Sequence, residues 1–193
     1  MHRPTVAVYD ESAEAWTRSR RGERGPDREA AVLAEAFRAR VGQGLIVDLG
    51  CGPGRLLPAL SPAVGFDASL GMLRLARQEG AVAAGDLERL PIGAATAQGA
   101  FGLFSFQHLT RQAFSSALAE VFRVLAPGGH LYLAMHQGDY EGDTRPDDDF
   151  PGRWFTYWTA EPLSAALQHT GFVDTTTEDH GNWISGGAQR PRQ

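Results

Sequence analysis

The stretch VDLGCGPGR, residues 47–55, places three glycines and a proline directly behind an apolar run. A short, continuously apolar run is typical of a strand that is buried on both faces, as strands of parallel sheets are. Glycine tolerates positive φ angles and lets another group approach the backbone closely. The stretch therefore predicts a buried strand followed by a sharp turn that contacts a ligand with main-chain atoms.

Strand-like and helix-like segments alternate along most of the chain. Apolar residues at helical spacing predict helices over residues 26–41, 53–60, 69–80 and from 111 onward. Ser69 is expected to cap the third of these, Gly80 to end it, and Pro127 with the glycine pair behind it to end the fourth. Short apolar runs predict strands at 45–50, 63–67, 81–86, 99–106 and 130–135. This alternation predicts a doubly wound α/β sheet, mostly parallel, with helices on both faces.

The last third of the chain has a different character. Residues 136–152 contain six aspartates or glutamates and little apolar content, which predicts a long acidic surface loop with the DDD run as a solvated turn. Residues 161–170 are expected to form a helix that Gly171 ends. The segments FVDTTTED and NWIS predict a closing antiparallel hairpin. We expect one domain over residues 1–193, in which residues 1–25 form an N-terminal lid.

Composition excludes several classes of protein. All 18 basic residues are arginine, so mechanisms that need a lysine amine are excluded, and 23 acidic residues give a net charge of −5. This balance argues against general binding to nucleic acid or to anionic membranes. Cys51 is the only cysteine, the histidines show no metal-ligand spacing, and no signal peptide or membrane span is recognisable. We therefore expect a cytoplasmic protein without a bound metal.

Acidic residues follow two further predicted strands. Asp67 ends the second strand, 17 residues beyond Gly50, where a carboxylate can accept hydrogen bonds from ribose hydroxyls. Asp86 ends the third strand, next to Leu87. The glycine turn has Arg55 where the dinucleotide motif G-x-G-x-x-G has its third glycine, which makes a nicotinamide site a poor match. These strand ends suit an adenosine that lies across the edge of the sheet.

The motifs VDLGCGPGR, GFDAS, GDLERLP and VLAPGGHLYLA, taken in this order, resemble those of the Rossmann-fold (class I) S-adenosylmethionine-dependent methyltransferases. The resemblance covers residues 30–185 and implies a seven-stranded sheet with a reversed last strand. It also implies roles in binding S-adenosylmethionine. Backbone at Gly50, Cys51 and Gly52 would lie near the methionine part and Asp67 on the ribose. Further contacts are implied for Ala68, Met72, Asp86 and Leu87 around the adenine, and for Tyr9 and Trp16 as lid aromatics.

The segment FSFQHL places Phe104, Phe106 and His108 where the methyl group is expected to point. His108 is the first candidate for a general base, because its ordinary pKa lies near neutral pH, and His136 is the second. The alternative for each histidine is a structural role, at the surface or in a hydrogen bond. Asp48 lies inside an apolar strand and either braces the turn or contacts the cofactor indirectly.

The sequence therefore predicts a methyltransferase that acts on a small molecule. Two alternatives stay open: a domain that binds S-adenosylmethionine without catalysis and serves as a regulator, and an RNA methyltransferase, suggested by the arginine cluster at residues 18–28. A nicotinamide dehydrogenase is a distant third. The sequence names neither the acceptor nor the oligomeric state.

Overall fold

A computed structural model of the chain describes residues 3–20, 26–145 and 148–192, with side chains in the second range described from Glu29 onward. It contains six α-helices in these ranges: α1 (Arg3–Ser19), α2 (Pro26–Val41), α3 (Leu57–Leu60), α4 (Leu70–Ala76), α5 (Arg111–Val124) and α6 (Ala160–Thr170). The strands are β1 (Ile46–Leu49), β2 (Ala63–Asp67), β3 (Ala81–Ala84), β4 (Ala97–Leu103), β5 (Leu125–His136), β6 (Glu141–Gly142), β7 (Phe155–Thr156), β8 (Val173–Asp179) and β9 (Trp183–Gln189). A 3₁₀ turn covers Phe106–His108.

Seven strands form one sheet in the order β3-β2-β1-β4-β5-β9-β8. The first five are parallel, with Val47 paired to Val64 on one side and to Ala100 on the other. β9 runs antiparallel to both β5 and β8. The predicted doubly wound sheet with a reversed last strand and a C-terminal hairpin is thus confirmed. The winding changes direction between β1 and β4, which is where such sheets bind ligands.

Helices cover both faces of the sheet because neighbouring residues of its central strands point to opposite sides. On one face Phe37 of α2 packs on Phe101 of β4, with ring centroids 5.4 Å apart, and Phe101 stacks on Tyr132. On the other face Phe114 and Leu118 of α5 are fully buried in a larger cluster. Burial of each such side chain stabilises the fold by roughly 1.5–3 kcal/mol.

Two predicted helix ends are wrong. α4 stops at Ala76, before Gly80, and Arg77 closes it with a backbone hydrogen bond to Leu73. α5 stops at Val124, and the segment LAPGG begins β5 instead of ending the helix. Leu125 is completely buried and pairs with Ala97 of β4, so pairing within the sheet begins before the proline. Within the described ranges, no helix is both long and apolar enough to cross a membrane.

The described part of the acidic segment departs from the predicted solvated loop at Asp148 and in the short strand β6. Asp148 is only 3% exposed at its side chain and is paired with the guanidinium of Arg153, which is also buried. It also accepts a hydrogen bond from the backbone N–H of Phe150. A buried carboxylate needs such partners to offset the loss of hydration. Asp149 is exposed. Strand β6 lies within the acidic segment and pairs with β7, which follows it.

Helix α1 is fastened to the start of α4 by one carboxylate. Asp10 accepts hydrogen bonds from the hydroxyl of Ser69 at 2.7 Å and from the backbone N–H of Gly71 at 2.8 Å. The Ser69 hydroxyl in turn accepts from the N–H of Met72, so the predicted cap of α4 is confirmed. A Cβ at Gly71 would lie 2.7 Å from the backbone oxygen of Asp10, so glycine is required for this close approach.

The variant Gly71→Ala should loosen α1 while leaving the sheet intact. Alanine favours the helical conformation of α4 by about 1 kcal/mol, but its methyl group forces the backbone of α1 away. Hydrogen exchange followed by mass spectrometry should show exchange in residues 3–19 rising by roughly tenfold, with strands β1 and β4 unchanged. Gly80→Ala is the matched control, because its Cβ would meet Leu57 at an ordinary 3.4 Å. Equal exchange of α1 in both variants would contradict this docking.

Candidate active site

A cavity of about 570 Å³ lies at the carboxyl ends of the central strands, under α1. This volume is within the range of sites for small molecules and cofactors. Its walls combine residues predicted from the sequence with others from the loop after β5. The lining includes Tyr9, Trp16, Arg20, Asp48, Gly50, Cys51, Gly52, Asp67, Met72, Phe104, His108, His136, Arg145, Arg153, Phe155 and Trp183.

The glycines of the turn after β1 serve two different purposes. Gly50 has φ +74°, and a Cβ there would lie 2.3 Å from the Cβ of Ser105, whose hydroxyl donates to the carbonyl of Leu49. Gly50 is therefore required for packing within the protein. Gly52 has φ +53°, and nothing lies within 4 Å of the position of its missing Cβ. Gly52 borders the cavity, so this is the point at which a ligand can approach the backbone.

Asp67 fixes the shape of the glycine turn. Its Oδ2 accepts the backbone N–H of Gly52 at 2.8 Å and its Oδ1 accepts that of Ser69 at 2.8 Å. Burial raises the pKa of Asp67, while these backbone hydrogen bonds act in the opposite direction. A carboxylate has about four lone-pair sites, so Asp67 retains acceptor capacity toward the cavity.

Asp48 is a buried carboxyl group next to the same cavity. It is 3% exposed and has no hydrogen-bond partner within the described part of the chain. Burial, with a further contribution from the charge of Asp67, raises the pKa of Asp48 to about 7. The absence of a hydrogen bond to the turn argues against the bracing role that the sequence left open. A cation in the cavity would stabilise its charged form.

The remaining residues predicted on the cofactor side divide into two groups. Met72 and Cys51 line the cavity, and burial raises the pKa of the Cys51 thiol well above its usual range, so the thiol stays protonated. Ala68, Asp86 and Leu87 do not line the cavity. Leu87 is buried in the core, and Asp86 accepts a hydrogen bond from the backbone of Glu88. The adenine contacts implied for these three residues stay predictions.

Tyr9 and His108 are joined in a chain of hydrogen bonds. Nδ1 of His108 lies 2.7 Å from the carbonyl oxygen of Trp154, which can only accept, so this nitrogen carries the proton. Nε2 therefore accepts from the hydroxyl of Tyr9 at 2.8 Å, and that hydroxyl accepts from Arg153 at 2.9 Å. Burial, the largest cause, lowers the pKa of His108 to about 3. Both ring nitrogens are engaged, and the ring is neutral.

His136 ends β5 and faces the cavity beside Arg145. Its Nε2 lies 3.1 Å from the guanidinium of Arg145, which can only donate, so Nε2 is an acceptor. Burial and then the charge of Arg145 lower the pKa of His136 to about 4, and the charges of Arg153 and Arg20 act in the same direction. His136 is therefore also neutral near pH 7.

The aromatic residues from the segment FSFQHL point in different directions. Phe104 has φ +54°, an uncommon backbone conformation for a non-glycine residue, and lines the cavity at 6.0 Å from the ring of Trp183. Phe106 is completely buried in the core against Phe114, so the expectation that it faces the methyl group is wrong.

The two aromatic residues of helix α1, Tyr9 and Trp16, make a ring contact with centroids 6.1 Å apart, as expected of two residues on one helix face.

The arginine cluster falls largely outside the described residues. Arg20 borders the cavity and lies 5.5 Å from the ring of Trp16. Residues 21–25 and the side chain of Arg28 are not described. Across the described ranges, no three side chains of histidine, cysteine, aspartate or glutamate come together as metal ligands would.

Residues 46–129 match a family model for a methyltransferase domain. Among curated proteins, an uncharacterized 37.1 kDa protein of transposon TN4556 in Streptomyces fradiae is 36% identical over 122 residues. That match covers 56% of this chain and 34% of the relative, so the chain spans about a third of the relative's length.

Solved structures share the fold. An amino pentose methyltransferase from Micromonospora echinaspora with bound S-adenosylmethionine has a TM-score of 0.71 at 24% identity, over 92% of this chain and 95% of its own. The 1,6-didemethyltoxoflavin-N1-methyltransferase of Burkholderia thailandensis, bound to 1,6-didemethyltoxoflavin and S-adenosylhomocysteine, has a TM-score of 0.70 at 20% identity, over 96% and 85%. Residues 46–129 thus match the methyltransferase-domain model, and the sheet built around them has the fold of these solved methyltransferases.

Proposed function

We propose that the chain is a cytoplasmic methyltransferase that uses S-adenosylmethionine to methylate a small-molecule acceptor. The observation that carries the proposal is the cavity at the switch between β1 and β4, where Gly52 opens toward a ligand and two carboxyl groups face it. The match of residues 46–129 to a methyltransferase-domain model supports the same assignment. So do the solved relatives that contain S-adenosylmethionine or S-adenosylhomocysteine.

The residues on this side of the cavity fit S-adenosylmethionine. Backbone at Gly50 and Gly52 would lie along the methionine part, and Asp67 would accept hydrogen bonds from the ribose hydroxyls with its remaining lone pairs. Asp48, buried and without a partner in the described chain, would complement a positive charge. When bound, S-adenosylmethionine supplies a methyl group on a sulfonium, which is transferred by in-line displacement.

On the other side of the cavity, the protein orients the acceptor and excludes water. The rings of Phe104, Phe155 and Trp183 form the wall there, and aromatic walls suit a reaction that begins with a cation and ends with a neutral thioether. His108 and His136 have a low pKa, about 3 and about 4, and are weak bases at neutral pH. We infer that they position Tyr9 and Arg145, and that rate enhancement comes chiefly from holding the reactants in line.

No specific observation supports either of the two alternative functions. The arginine cluster that suggested RNA lies mostly outside the described residues. A regulatory domain without catalysis has no need for a second, aromatic half of the cavity beside the cofactor side. The methyltransferase is therefore the function that the geometry supports best.

Turnover is the direct test. The protein should convert S-adenosylmethionine to S-adenosylhomocysteine in the presence of members of a panel of small acceptors, measured by mass spectrometry of both substrate and product. The variant Asp67→Ala should lose turnover, and each of its two lost backbone hydrogen bonds should lower the free energy of unfolding by about 1–3 kcal/mol. Tight binding of S-adenosylmethionine without turnover on any acceptor would favour the regulatory alternative.

The variant Gly52→Ala should separate binding from stability. Its methyl group meets no protein atom but enters the cavity, so we expect the affinity for S-adenosylhomocysteine in calorimetry to fall at least about tenfold. The strain of a positive φ should cost only about 1 kcal/mol of stability. Gly42→Ala is the matched control, since Gly42 has φ +71° and equally open surroundings but lies away from the cavity. Similar affinities for the two variants would refute cofactor binding at this turn.

Asp48 should make the binding of a cation depend on pH. Its carboxyl group is neutral below its pKa of about 7 and charged above it, so the affinity for S-adenosylmethionine should rise between pH 6 and pH 8. S-adenosylhomocysteine carries the same amino acid part without the sulfonium charge, and the ratio of the two affinities isolates that charge. We expect this ratio to increase several-fold over that range in the wild type and to stay constant in Asp48→Asn. A constant ratio in the wild type would remove Asp48 from the proposed role.

A further inference from the structure

Buried acidic groups and two arginines of the loop after β5 occupy different parts of the cavity wall. Asp48 belongs to β1 and Asp67 ends β2, whereas His136 ends β5 and Arg145 follows it in the next loop. In the sheet, β1 and β4 separate β2 from β5, and three strand spacings correspond to about 14 Å. The cofactor half thus contains the two buried carboxyl groups, and Arg145 and Arg153 lie in the other half, where no carboxyl group other than Asp148 is described beside them.

Arg145 is an arginine of that half whose guanidinium borders the cavity. Its guanidinium contacts Nε2 of His136 at 3.1 Å and lies 5.2 Å from the ring centroid of Phe155. In the described ranges no carboxylate lies within ion-pair distance of it. Arg153 differs, because it is buried and held by Asp148 and by the hydroxyl of Tyr9.

Among the described residues, no carboxylate pairs with Arg145, and another arginine lies nearby. Arg153 lies 5.1 Å from the same Phe155 ring, so two guanidinium groups face one ring, and Asp148 balances only one of them. The same positive charges contribute to the low pKa of His136. A cavity wall of this kind attracts an anion.

We propose that the methyl acceptor is an aromatic acid whose carboxylate or phosphate group binds Arg145. The planar guanidinium fork matches both groups in size and geometry. The rings of Phe104, Phe155 and Trp183 supply stacking surfaces for the body of such a molecule, and Phe104 lies between His136 and Trp183 at 5.7 and 6.0 Å. This inference rests on the proposed function, because it assigns the acceptor of that reaction.

The test compares matched pairs of probes that differ only in charge. The protein, saturated with S-adenosylhomocysteine, is titrated in a calorimeter with a panel of aromatic carboxylates and their primary amides, and with aryl phosphates and their parent phenols. The acid of at least one pair should bind roughly ten- to a hundredfold more tightly than its neutral counterpart. A difference in affinity within the carboxylate series indicates a carboxylate acceptor, and one within the phosphate series indicates a phosphorylated acceptor.

Three variants assign the effect to Arg145. Arg145→Gln should abolish the preference for the acid, and Arg145→Lys should retain part of it, since lysine keeps the charge but loses the fork. Arg77→Gln removes the same charge from an exposed position directly after α4 and should leave the preference unchanged. Affinity for S-adenosylhomocysteine should be equal in all three variants, which also shows that they are folded.

The possible failures are distinguishable. If S-adenosylhomocysteine does not bind to the wild type, the proposed function itself fails. If it binds but acids and neutral counterparts bind alike, or no acid binds, the anionic acceptor is overturned while the methyltransferase assignment stands. A preference for acids that survives in Arg145→Gln overturns the role of Arg145.

Discussion

The carboxylate of Asp67 holds together the parts from which the cavity is built. One oxygen fixes the turn after β1 through Gly52, and the other fixes the start of α4 through Ser69. The hydroxyl of Ser69 in turn donates a hydrogen bond to the carboxylate of Asp10 in α1. A single hydrogen-bonded network therefore connects the glycine turn, the first residues of α4 and the helix that covers the site. Because the N–H groups involved are fixed by the backbone, the network also fixes their relative positions.

Helix α1 links the two halves of the cavity through consecutive residues. Asp10 binds the start of α4 on the cofactor side, and Tyr9, directly before it, binds His108 and Arg153 on the acceptor side. Thr5 of the same helix accepts the backbone N–H of Trp154. A displacement of α1 therefore breaks contacts on both sides at once. This arrangement couples the order of the acceptor half to that of the cofactor half.

The sequence predicts the sheet, and the positions of the glycine turn and Asp67 at its edge, for a physical reason. Strands β1 and β2 are short apolar runs because they are central strands, and their loops carry glycine and aspartate at fixed offsets. The acceptor side depends on pairs that are remote in the chain, such as Tyr9 with Arg153. No local pattern marks Arg145 or Arg153, which lie in a segment without helical or strand periodicity. Asp148 was predicted in a solvated turn because its charge alone was visible, whereas its burial follows from pairing with Arg153.

Burial decides what the histidines can contribute to the chemistry. With a pKa of about 3, protonation of His108 at pH 7 costs about 5 kcal/mol. That cost would cancel much of the benefit of a general base. The same burial keeps the ring neutral, so that it can accept the proton of the Tyr9 hydroxyl and hold that hydroxyl toward Arg153. The acceptor half thus offers fixed hydrogen bonds and positive charge instead of a base, which suits an acceptor that is itself anionic and oriented by that charge.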